Sequence, residues 1–254
     1  AATKEPREVL EVDACLVATG RVPFTKGLNL GALGVQLDRR GFVPVDAHMR
    51  VMAGGGGNGV AEAGKNGAHP ASPQRAMPHV FCVGDANGRF MLAHAASAQG
   101  ISAVENILGR THVLDHATVP AACFTHPEMA FVGGTEPAVR ERAQKEGWAE
   151  SVGVVKTYFK GNSKALAEGE ADGLGKLIFH KQSGAVLGAH LLGLHAADLI
   201  HEFSNAMALH TTLPDLRRAV HAHPTVSEVV EELVRHACAD MCRAGTKDHA
   251  LAGV

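Results

Sequence analysis

The chain has 254 residues, 46% hydrophobic and 20% charged, which is enough for one or two globular domains with a real core. The formal net charge of -2 excludes a strong general attraction to nucleic acid or to a membrane surface. No run of 18 apolar residues is present that could span a bilayer. The first seven residues contain neither a Met nor a signal-type apolar core, so we expect the chain to be part of a longer protein.

The cysteines and histidines argue against a disulfide scaffold or a metal site. Three of the five cysteines lie alone in apolar runs and are predicted to be buried: Cys15, Cys82 and Cys123. Cys238 and Cys242 are four residues apart near the end of the last predicted helix. We interpret them as two neighbouring side chains on a fraying helix end rather than as a redox pair. A reducing compartment is therefore expected. No group with zinc-site spacing accompanies His221 and His223, so no metal is predicted.

The first predicted strand precedes Gly20. Residues 9–13 alternate between apolar and polar side chains, and the apolar run 14–18 leads into Thr19 and Gly20. This pattern predicts a buried strand that ends in a tight turn. Because ligands of α/β sheets bind outside the carboxyl ends of strands, Gly20 is a candidate for close approach to a nucleotide. An ordinary strand-end glycine is the alternative, and the residues alone favour it.

The next segments are predicted to be two short strands and a loop. Residues 33–38 and 41–46 have strand patterns around a charged turn. Residues 53–77 are rich in Gly, Ala, Pro and Ser and predict a flexible surface loop. The letters G-x-G-x-x-G occur in this loop at Gly54, Gly56 and Gly59. We interpret that match as accidental, because no adequate strand precedes it and no helix follows it.

A second apolar run ends beside a candidate ligand site. Residues 79–83 predict a strand that stops at Gly84 and is followed directly by Asp85. Residues 91–108 then predict a helix, and its first turn would present free backbone N–H groups. The residues of that turn are Met91, Leu92, Ala93 and His94. A carboxylate beside a helix N-terminus suits a ligand with hydroxyl groups and an electron-rich edge, although Asp85 is also compatible with a simple cap or turn.

From residue 120 the pattern is that of an α+β domain. Strands are predicted at 120–133 around a Pro turn, at 152–159, and at 173–180 and 185–192 around a Ser183-Gly184 hairpin turn. Helices are predicted at 135–147 with Thr135 as the N-cap, at 196–209 and at 213–220. Residues 243–254 lack periodicity and are predicted to be a loose tail.

The segment 221–228 opens the last predicted helix and contains a candidate acid–base pair. Pro224 suits the first turn of a helix, and Thr225 with Glu228 has the spacing of a capping box. Five aliphatic residues behind them form one apolar face: Val226, Val229, Val230, Leu233 and Val234. The pattern therefore brings the His223 imidazole close to the Glu228 carboxylate, and a carboxylate-bound imidazole is a better base. The spacing alone favours a capping Glu228 and a solvated His223.

Taken in order, five segments resemble the flavoprotein disulfide reductases. They are 18–23, 83–85, 91–94, 124–128 and 221–225. Asn87-Gly88, 94–100 and 194–202 are similar to the plastid form of the dihydrolipoamide dehydrogenase branch, and the resemblance extends over 9–237. It implies an α+β fold with these parts: the end of an NAD-binding α/β domain (1–22), the C-terminal part of the FAD-binding and central region (23–118), a dimerisation domain of antiparallel sheet plus helices (119–240) and a tail (241–254).

The resemblance also implies cofactors and residue roles. FAD and NAD are the expected cofactors, with Gly20 touching NAD, Asp85 accepting hydrogen bonds from the ribityl chain of FAD, and the N–H groups of residues 91–94 facing the flavin ring. His223 would accept a proton from a dihydrolipoyl thiol while Glu228 orients it. In the family the histidine of one subunit serves the flavin of the other, which implies a homodimer.

The resemblance extends to partners and location. Lipoyl-bearing subunits of 2-oxo acid dehydrogenase or glycine cleavage complexes are the expected partners, with no nucleic acid and no membrane. The chloroplast stroma is the expected location, with the mitochondrial matrix as the alternative.

Three motifs of the family are absent from the sequence. They are the FAD glycine fingerprint, the redox-active Cys-x4-Cys and the second glycine fingerprint for NAD. The chain therefore resembles the C-terminal half of such an enzyme, and we expect it to be inactive alone. Two alternatives remain at this point: a reductase of the glutathione or mercuric type, and a non-catalytic dimerisation module in which His223 and Glu228 are structural.

Overall fold

The computed structural model describes residues 8–54 and 74–244, which divide into two compact units. The first unit contains the residues up to 91 together with 99–112, and the second contains 92–98 together with the residues from 113 onward.

The first unit is built around a two-stranded antiparallel sheet. Strand β1 (Arg50–Ala53) pairs with strand β2 (Arg75–Phe81). Short 3-10 helices lie at Leu30–Leu33 and Gly84–Asn87, and helix α1 (Ala93–Ile107) contributes its residues from Gln99 onward to this unit. A small core of buried aliphatic and sulfur-containing side chains holds the unit together, and its members are Val35, Val43, Val45, Met49, Val51, Met77 and Ala103.

The strand predicted before Gly20 does not form. Residues 8–25 have no regular secondary structure, and their apolar side chains are exposed, from 66% for Val12 to 90% for Leu16. A strand needs hydrogen-bonded neighbours, and no strand in the described part of the chain pairs with this segment. The prediction was wrong because alternating apolar and polar residues indicate only that one face of a segment tends to be buried. A strand also needs a neighbouring strand to which its backbone can hydrogen-bond.

Three further predictions in this unit need correction. Residues 33–38 and 41–46 are not strands; only a single bridge, Val45 to Val51, is present. The charged turn between them does form, since the Gly41 amide donates to the Asp38 carbonyl at 3.0 Å. The bounds predicted for the loop at 53–77 were wrong at both ends, because Ala53 belongs to β1 and 75–77 to β2. Residues 55–73, with most of the G-x-G-x-x-G match, lie outside the described residues.

The second unit is a five-stranded antiparallel sheet with helices on both faces. Its strands are β3 (Ala121–Cys123), β4 (Met129–Gly133), β5 (Val152–Tyr158), β6 (Leu174–His180) and β7 (Val186–Leu192). They lie in the order β3-β4-β7-β6-β5. Its helices are α2 (Glu136–Glu146), α3 (Ser163–Ala167), α4 (Ala196–Ala208), α5 (Leu213–Leu216) and α6 (Glu228–Ala244). The α+β fold predicted for this region is confirmed.

The main core lies between the sheet and helices α4 and α6. Leu177 of β6 packs in this cluster with Phe203 of α4 and Leu233 of α6, and all three are fully buried. The next residue of β6, Ile178, belongs to a separate cluster with Val139 of α2. Because neighbouring residues of a strand point to opposite faces, α2 covers the face opposite to α4 and α6.

The local helix signals in this unit are mostly confirmed. Thr135 caps α2 by accepting from the Ala138 amide at 3.4 Å, and Gly147 ends that helix with φ +81°. Helix α5 stops at Leu216, short of the predicted 220, and begins with a capping box between Thr212 and Asp215 that the sequence analysis missed. Helix α6 continues to Ala244, so the predicted start of the tail at residue 243 was wrong, and residues 245–254 lie outside the described residues.

The cysteine predictions are only partly correct. Cys15 and Cys123 are exposed rather than buried, and Cys82 is half-buried. Cys238 is buried in the main core, and Cys242 is exposed near the end of α6, which agrees with two neighbours on a helix end. All five thiols are free. Cys15 lies in a segment that pairs with no described strand, and Cys123 is the exposed last residue of β3, a strand at the edge of the sheet.

Candidate active site

The loop between α5 and α6 carries the candidate base. Helix α6 begins at Glu228, four residues later than Pro224, so the prediction that Pro224 occupies the first helical turn was wrong. The His223–Pro224 peptide bond is cis. The apolar face predicted behind it is correct, since these five side chains are buried: Val226, Val229, Val230, Leu233 and Val234.

His223 and Glu228 form the pair that the spacing predicted. Nδ1 of His223 lies 2.9 Å from Oε1 of Glu228. Because a carboxylate accepts, Nδ1 carries the proton and Nε2 of the neutral ring carries the lone pair. The His223 side chain is 68% exposed, and Nε2 has no partner within the described residues. The pair therefore presents an oriented proton acceptor to solvent.

The second oxygen of Glu228 is also engaged. Oε2 accepts from the Thr225 amide at 2.9 Å, which is one half of the predicted capping box. The other half does not form, because the Thr225 hydroxyl donates to the Ala222 carbonyl at 2.6 Å and contacts the Ser227 hydroxyl. The Thr225 amide, followed by His223, lowers the pKa of the Glu228 carboxyl. Glu228 therefore stays ionised and keeps His223 in one tautomer.

The loop is anchored after His223 by a buried amide. Asn162, which caps α3, donates from Nδ2 to the Thr225 carbonyl at 3.0 Å. Its Oδ1 accepts from the Ala165 amide, and Asn162 is only 6% exposed. The next residue of the loop, Val226, is buried in the main core. These contacts fix the backbone from Thr225 onward, and no sequence signal predicted the contribution of Asn162.

Asp85 lies in a turn whose shape is fixed by buried side chains. The Gln99 oxygen Oε1 accepts from the Gly84 amide and from Nδ2 of Asn87, both at 2.8 Å. Gln99 and Asn87 are buried, whereas the Asp85 carboxylate is exposed and has no hydrogen-bonded partner in the described part of the chain. Gly88 closes the turn at φ +65°, where an added Cβ would lie 2.5 Å from the Phe42 ring. The turn is thus rigid, and its carboxylate is free for a ligand.

Helix α1 begins with unused backbone donors. Its first internal bond runs from the Ala96 amide to the Leu92 carbonyl at 2.9 Å, so the amides of Ala93 and His94 precede the helical pattern. Nε2 of His94 lies 2.7 Å from the Pro120 carbonyl, to which it donates. The ring of His94 is therefore occupied, and its backbone is the part available to a ligand. Met91 and Leu92 lie just before the assigned helix, which starts two residues later than predicted.

Gly20 is not part of a formed site. It has φ +102°, which favours glycine, but an added Cβ would have no heavy atom within 4 Å. The segment around it is exposed and unpaired. The described residues therefore contain no cradle for a nucleotide at this position.

Two further properties bear on the kind of site. Within residues 8–54 and 74–244, no cluster of three or more His, Cys, Asp or Glu side chains is arranged to hold a metal ion. In the same ranges, no helix has the length and apolar character needed to cross a membrane.

Two family profiles together match most of the chain. The pyridine nucleotide-disulphide oxidoreductase dimerisation domain matches residues 119–234, and the pyridine nucleotide-disulphide oxidoreductase domain matches residues 1–100. The chain belongs to the pyridine nucleotide-disulphide oxidoreductases, the flavin-dependent disulfide reductases, and the family resemblance of the sequence is confirmed.

Within this family the chain is similar to dihydrolipoyl dehydrogenases. It is 55% identical over 240 residues to dihydrolipoyl dehydrogenase 2, chloroplastic, of Arabidopsis thaliana, covering 94% of this chain and 39% of the relative. It is 49% identical to the Synechocystis enzyme, covering 93% and 46%, and 35% identical to the human mitochondrial enzyme, covering 91% and 40%. The chain thus spans less than half the length of these relatives.

Two solved structures share the fold. The Cu(II) complex of the HOCl-induced reductase RclA from Escherichia coli has a TM-score of 0.69 at 23% identity, covering 91% of this chain and 46% of that one. LpdA from Mycobacterium tuberculosis has a TM-score of 0.65 at 24% identity, covering 85% and 40%. At this identity the likeness supports the fold alone.

Proposed function

We propose that this chain supplies the acid–base pair, part of the flavin-binding surface and the subunit contact of a dihydrolipoyl dehydrogenase. The 2.9 Å contact between His223 and Glu228 carries the proposal, because it gives an exposed, oriented proton acceptor. The similarity to dihydrolipoyl dehydrogenases favours lipoyl thiols as the substrate over the glutathione or mercuric type of reductase.

The proposed role of His223 is to make a thiolate. A dihydrolipoyl thiol is weakly nucleophilic until it loses its proton, because only the thiolate attacks a disulfide. The attacked bond would be the disulfide of a Cys-x4-Cys pair elsewhere in the full-length protein, and one sulfur of that pair would leave as a thiolate. Nε2 of His223 accepts that proton, and the Glu228 carboxylate stabilises the imidazolium that results. FAD, when bound, would supply a two-electron acceptor for the oxidation of the two lipoyl thiols to a disulfide, and NAD would be the final acceptor.

The residues around Asp85 and α1 fit FAD. An exposed carboxylate on a rigid turn can accept hydrogen bonds from ribityl hydroxyl groups. The free amides at the start of α1, in residues 91–94, suit the electron-rich edge of a flavin. The surroundings of Gly20 do not show a fit to NAD, so its role as an NAD contact rests on the resemblance alone.

The proposal extends to assembly and location. Residues 1–22 would belong to the NAD-binding region, 23–118 to the FAD-binding region and 119–240 to the dimerisation domain. The full protein would be a homodimer in which His223 of one subunit serves the flavin of the other. Lipoyl-bearing subunits of 2-oxo acid dehydrogenase or glycine cleavage complexes would be the partners. The chloroplast stroma is the proposed location, as for the Arabidopsis relative, whose name is chloroplastic. Alone, without a Cys-x4-Cys pair, the chain would not turn over dihydrolipoamide.

The substitution His223→Gln tests the proposal in a full-length protein that carries this chain. We expect dihydrolipoamide oxidation to fall by about two to four decades, the usual effect of losing a general base. Diaphorase activity with an artificial acceptor should persist, because it needs no thiol deprotonation. His236→Gln is the matched control, since His236 is a half-exposed histidine 3.8 Å from Glu232 on α6.

Two outcomes would contradict the base role. If His223→Gln reduces both activities equally, the residue supports the structure rather than proton transfer. If the variant keeps full lipoamide turnover, the His223–Glu228 pair is not part of the reaction, and the dimerisation-module alternative is favoured.

A further inference from the structure

His221 lies two residues before His223 but in a different environment. Its side chain is 11% exposed, against 68% for His223. Nε2 of His221 lies 3.1 Å from Oε2 of Glu202 in α4. Nδ1 lies 3.7 Å from Oε2 of Glu231 in α6, too far for a hydrogen bond, and this buried nitrogen has no hydrogen-bonded partner in the described part of the chain. One imidazole thus faces two carboxylates on two helices.

The contact between His221 and Glu202 is a hydrogen bond in which Nε2–H donates, because a carboxylate can only accept. Glu231 of α6 lies on the opposite side of the ring, 3.7 Å from Nδ1. A side chain held in this way links α4 to α6 through the loop that precedes His223.

His221 is placed to act on the acid–base pair. Glu231 follows Glu228 by three residues, so the two carboxylates are neighbours on α6. The charge of His221 also contributes, after Thr225 and His223, to the lowered pKa of Glu228. Asn162 anchors the loop on the far side of His223, at the Thr225 carbonyl. His221 is the corresponding anchor on the near side.

We propose that His221 is a positioning residue, which holds the loop between Glu202 and Glu231 so that His223 meets Glu228 in the productive orientation. This inference rests on the proposed function. His221 does not touch the substrate; it acts by limiting the freedom of the backbone at Ala222, next to the base. A loss of orientation reduces the rate of the chemical step more than it reduces binding.

The test uses the full-length flavoprotein, with His221→Ala, His221→Gln and Glu231→Gln. We expect His221→Ala to lower kcat for dihydrolipoamide about tenfold, with KM changed less than about twofold and diaphorase activity kept. His221→Gln retains a donor near the position of Nε2 and should recover at least half of kcat. Glu231→Gln keeps the 3.1 Å contact with Glu202 and provides a milder variant if His221→Ala fails to fold. His236→Ala is the matched control.

A double-mutant cycle with His223→Gln separates this inference from the proposed function. If His221 acts through His223, then His221→Ala causes no further loss of lipoamide activity in the His223→Gln background. An equal further loss in that background overturns the positioning role, as does an unchanged kcat in the single variants or a parallel loss of diaphorase activity. If His223→Gln itself leaves lipoamide turnover intact, the proposed function fails instead.

Discussion

At the scale of single residues, the site depends on one carboxylate that serves two partners. Glu228 accepts from the Thr225 amide with one oxygen and from the His223 ring with the other. Capping and the proposed role beside His223 are therefore compatible, because the two contacts use different oxygens of Glu228. The helix N-terminus adds to this, because the positive end of the α6 dipole favours an ionised carboxylate in the first turn.

The lowered pKa of Glu228 predicts a particular pH dependence of stability. A carboxyl with a lower pKa in the folded state stabilises the fold above its unfolded pKa and loses that effect as the pH falls through the folded value. We therefore expect the unfolding free energy of the chain to exceed that of Glu228→Gln at neutral pH. The difference should shrink as the pH falls below the ordinary value of 4.5.

Urea unfolding of both proteins at several pH values measures this difference. The substitution keeps an oxygen that can accept from the Thr225 amide, so it isolates the effect of the charge. A difference that grows toward acid pH would show that the folded-state pKa of Glu228 is not lowered.

At the scale of elements, the turn at 84–88 depends on helix α1. The buried Gln99 side chain of α1 holds the backbone on which Asp85 lies. We predict that Gln99→Leu destabilises the chain by about 1–3 kcal/mol, because the Gly84 amide loses its acceptor in a buried position. Gln144→Leu, on the exposed side of α2, should change stability by less than about 0.5 kcal/mol. Thermal unfolding of the two variants measures the difference in stability. The flavin content of the full-length protein reports whether the turn that carries Asp85 is still formed. Equal stability of the two variants would contradict the role of Gln99.

The contact of β4 with β7 requires a glycine at 188. An added Cβ there would lie 2.1 Å from the Gly134 carbonyl oxygen, which is backbone and cannot rotate away. We expect Gly188→Ala to destabilise the chain by about 1–3 kcal/mol, as overpacked cores do. Gly161→Ala is the control, because an added Cβ at that position has no neighbour within 4 Å. Denaturant titrations of both variants measure the effect, and similar midpoints would mean that the sheet relaxes around the methyl group.

At the scale of the whole molecule, the proposed homodimer predicts complementation between subunits. In the full-length protein, His223→Gln removes the base and Asp85→Ala removes a proposed flavin contact. If the base serves the flavin of the other subunit, a mixed dimer contains one complete site. Random pairing of two inactive subunits should then restore about a quarter of wild-type lipoamide activity, since half of the dimers are mixed and each has one site of two.

Co-expression with two different affinity tags isolates the mixed dimer, which, with one complete site of two, should have about half of wild-type lipoamide activity. Each variant purified alone is the control and should be nearly inactive. No recovery in the mixed dimer would mean that His223 acts within its own subunit or that Asp85 is not required.

The second unit was largely predictable, because its signals are local. Thr135 and Gly147 are the caps at the two ends of α2, a helix of 11 residues. Ser183-Gly184 closes a hairpin between β6 and β7, which are consecutive strands. The first unit was less predictable. The apolar side chains of Val9 and Leu16 indicated a strand, yet both are exposed, because no described strand pairs with them.

By itself, the sequence determined the α+β fold of the second unit, the family and the pairing of His223 with Glu228, since each depends on residues close together in the chain or on several motifs in order. Only the tertiary structure decided which side chains hold these residues in place. Gln99 meets the Gly84 turn, Asn162 meets the loop after His223, and His221 meets Glu202. These pairs are separated by 15, 63 and 19 residues. Contacts at such separations follow from how the elements pack, which periodicity and spacing do not encode.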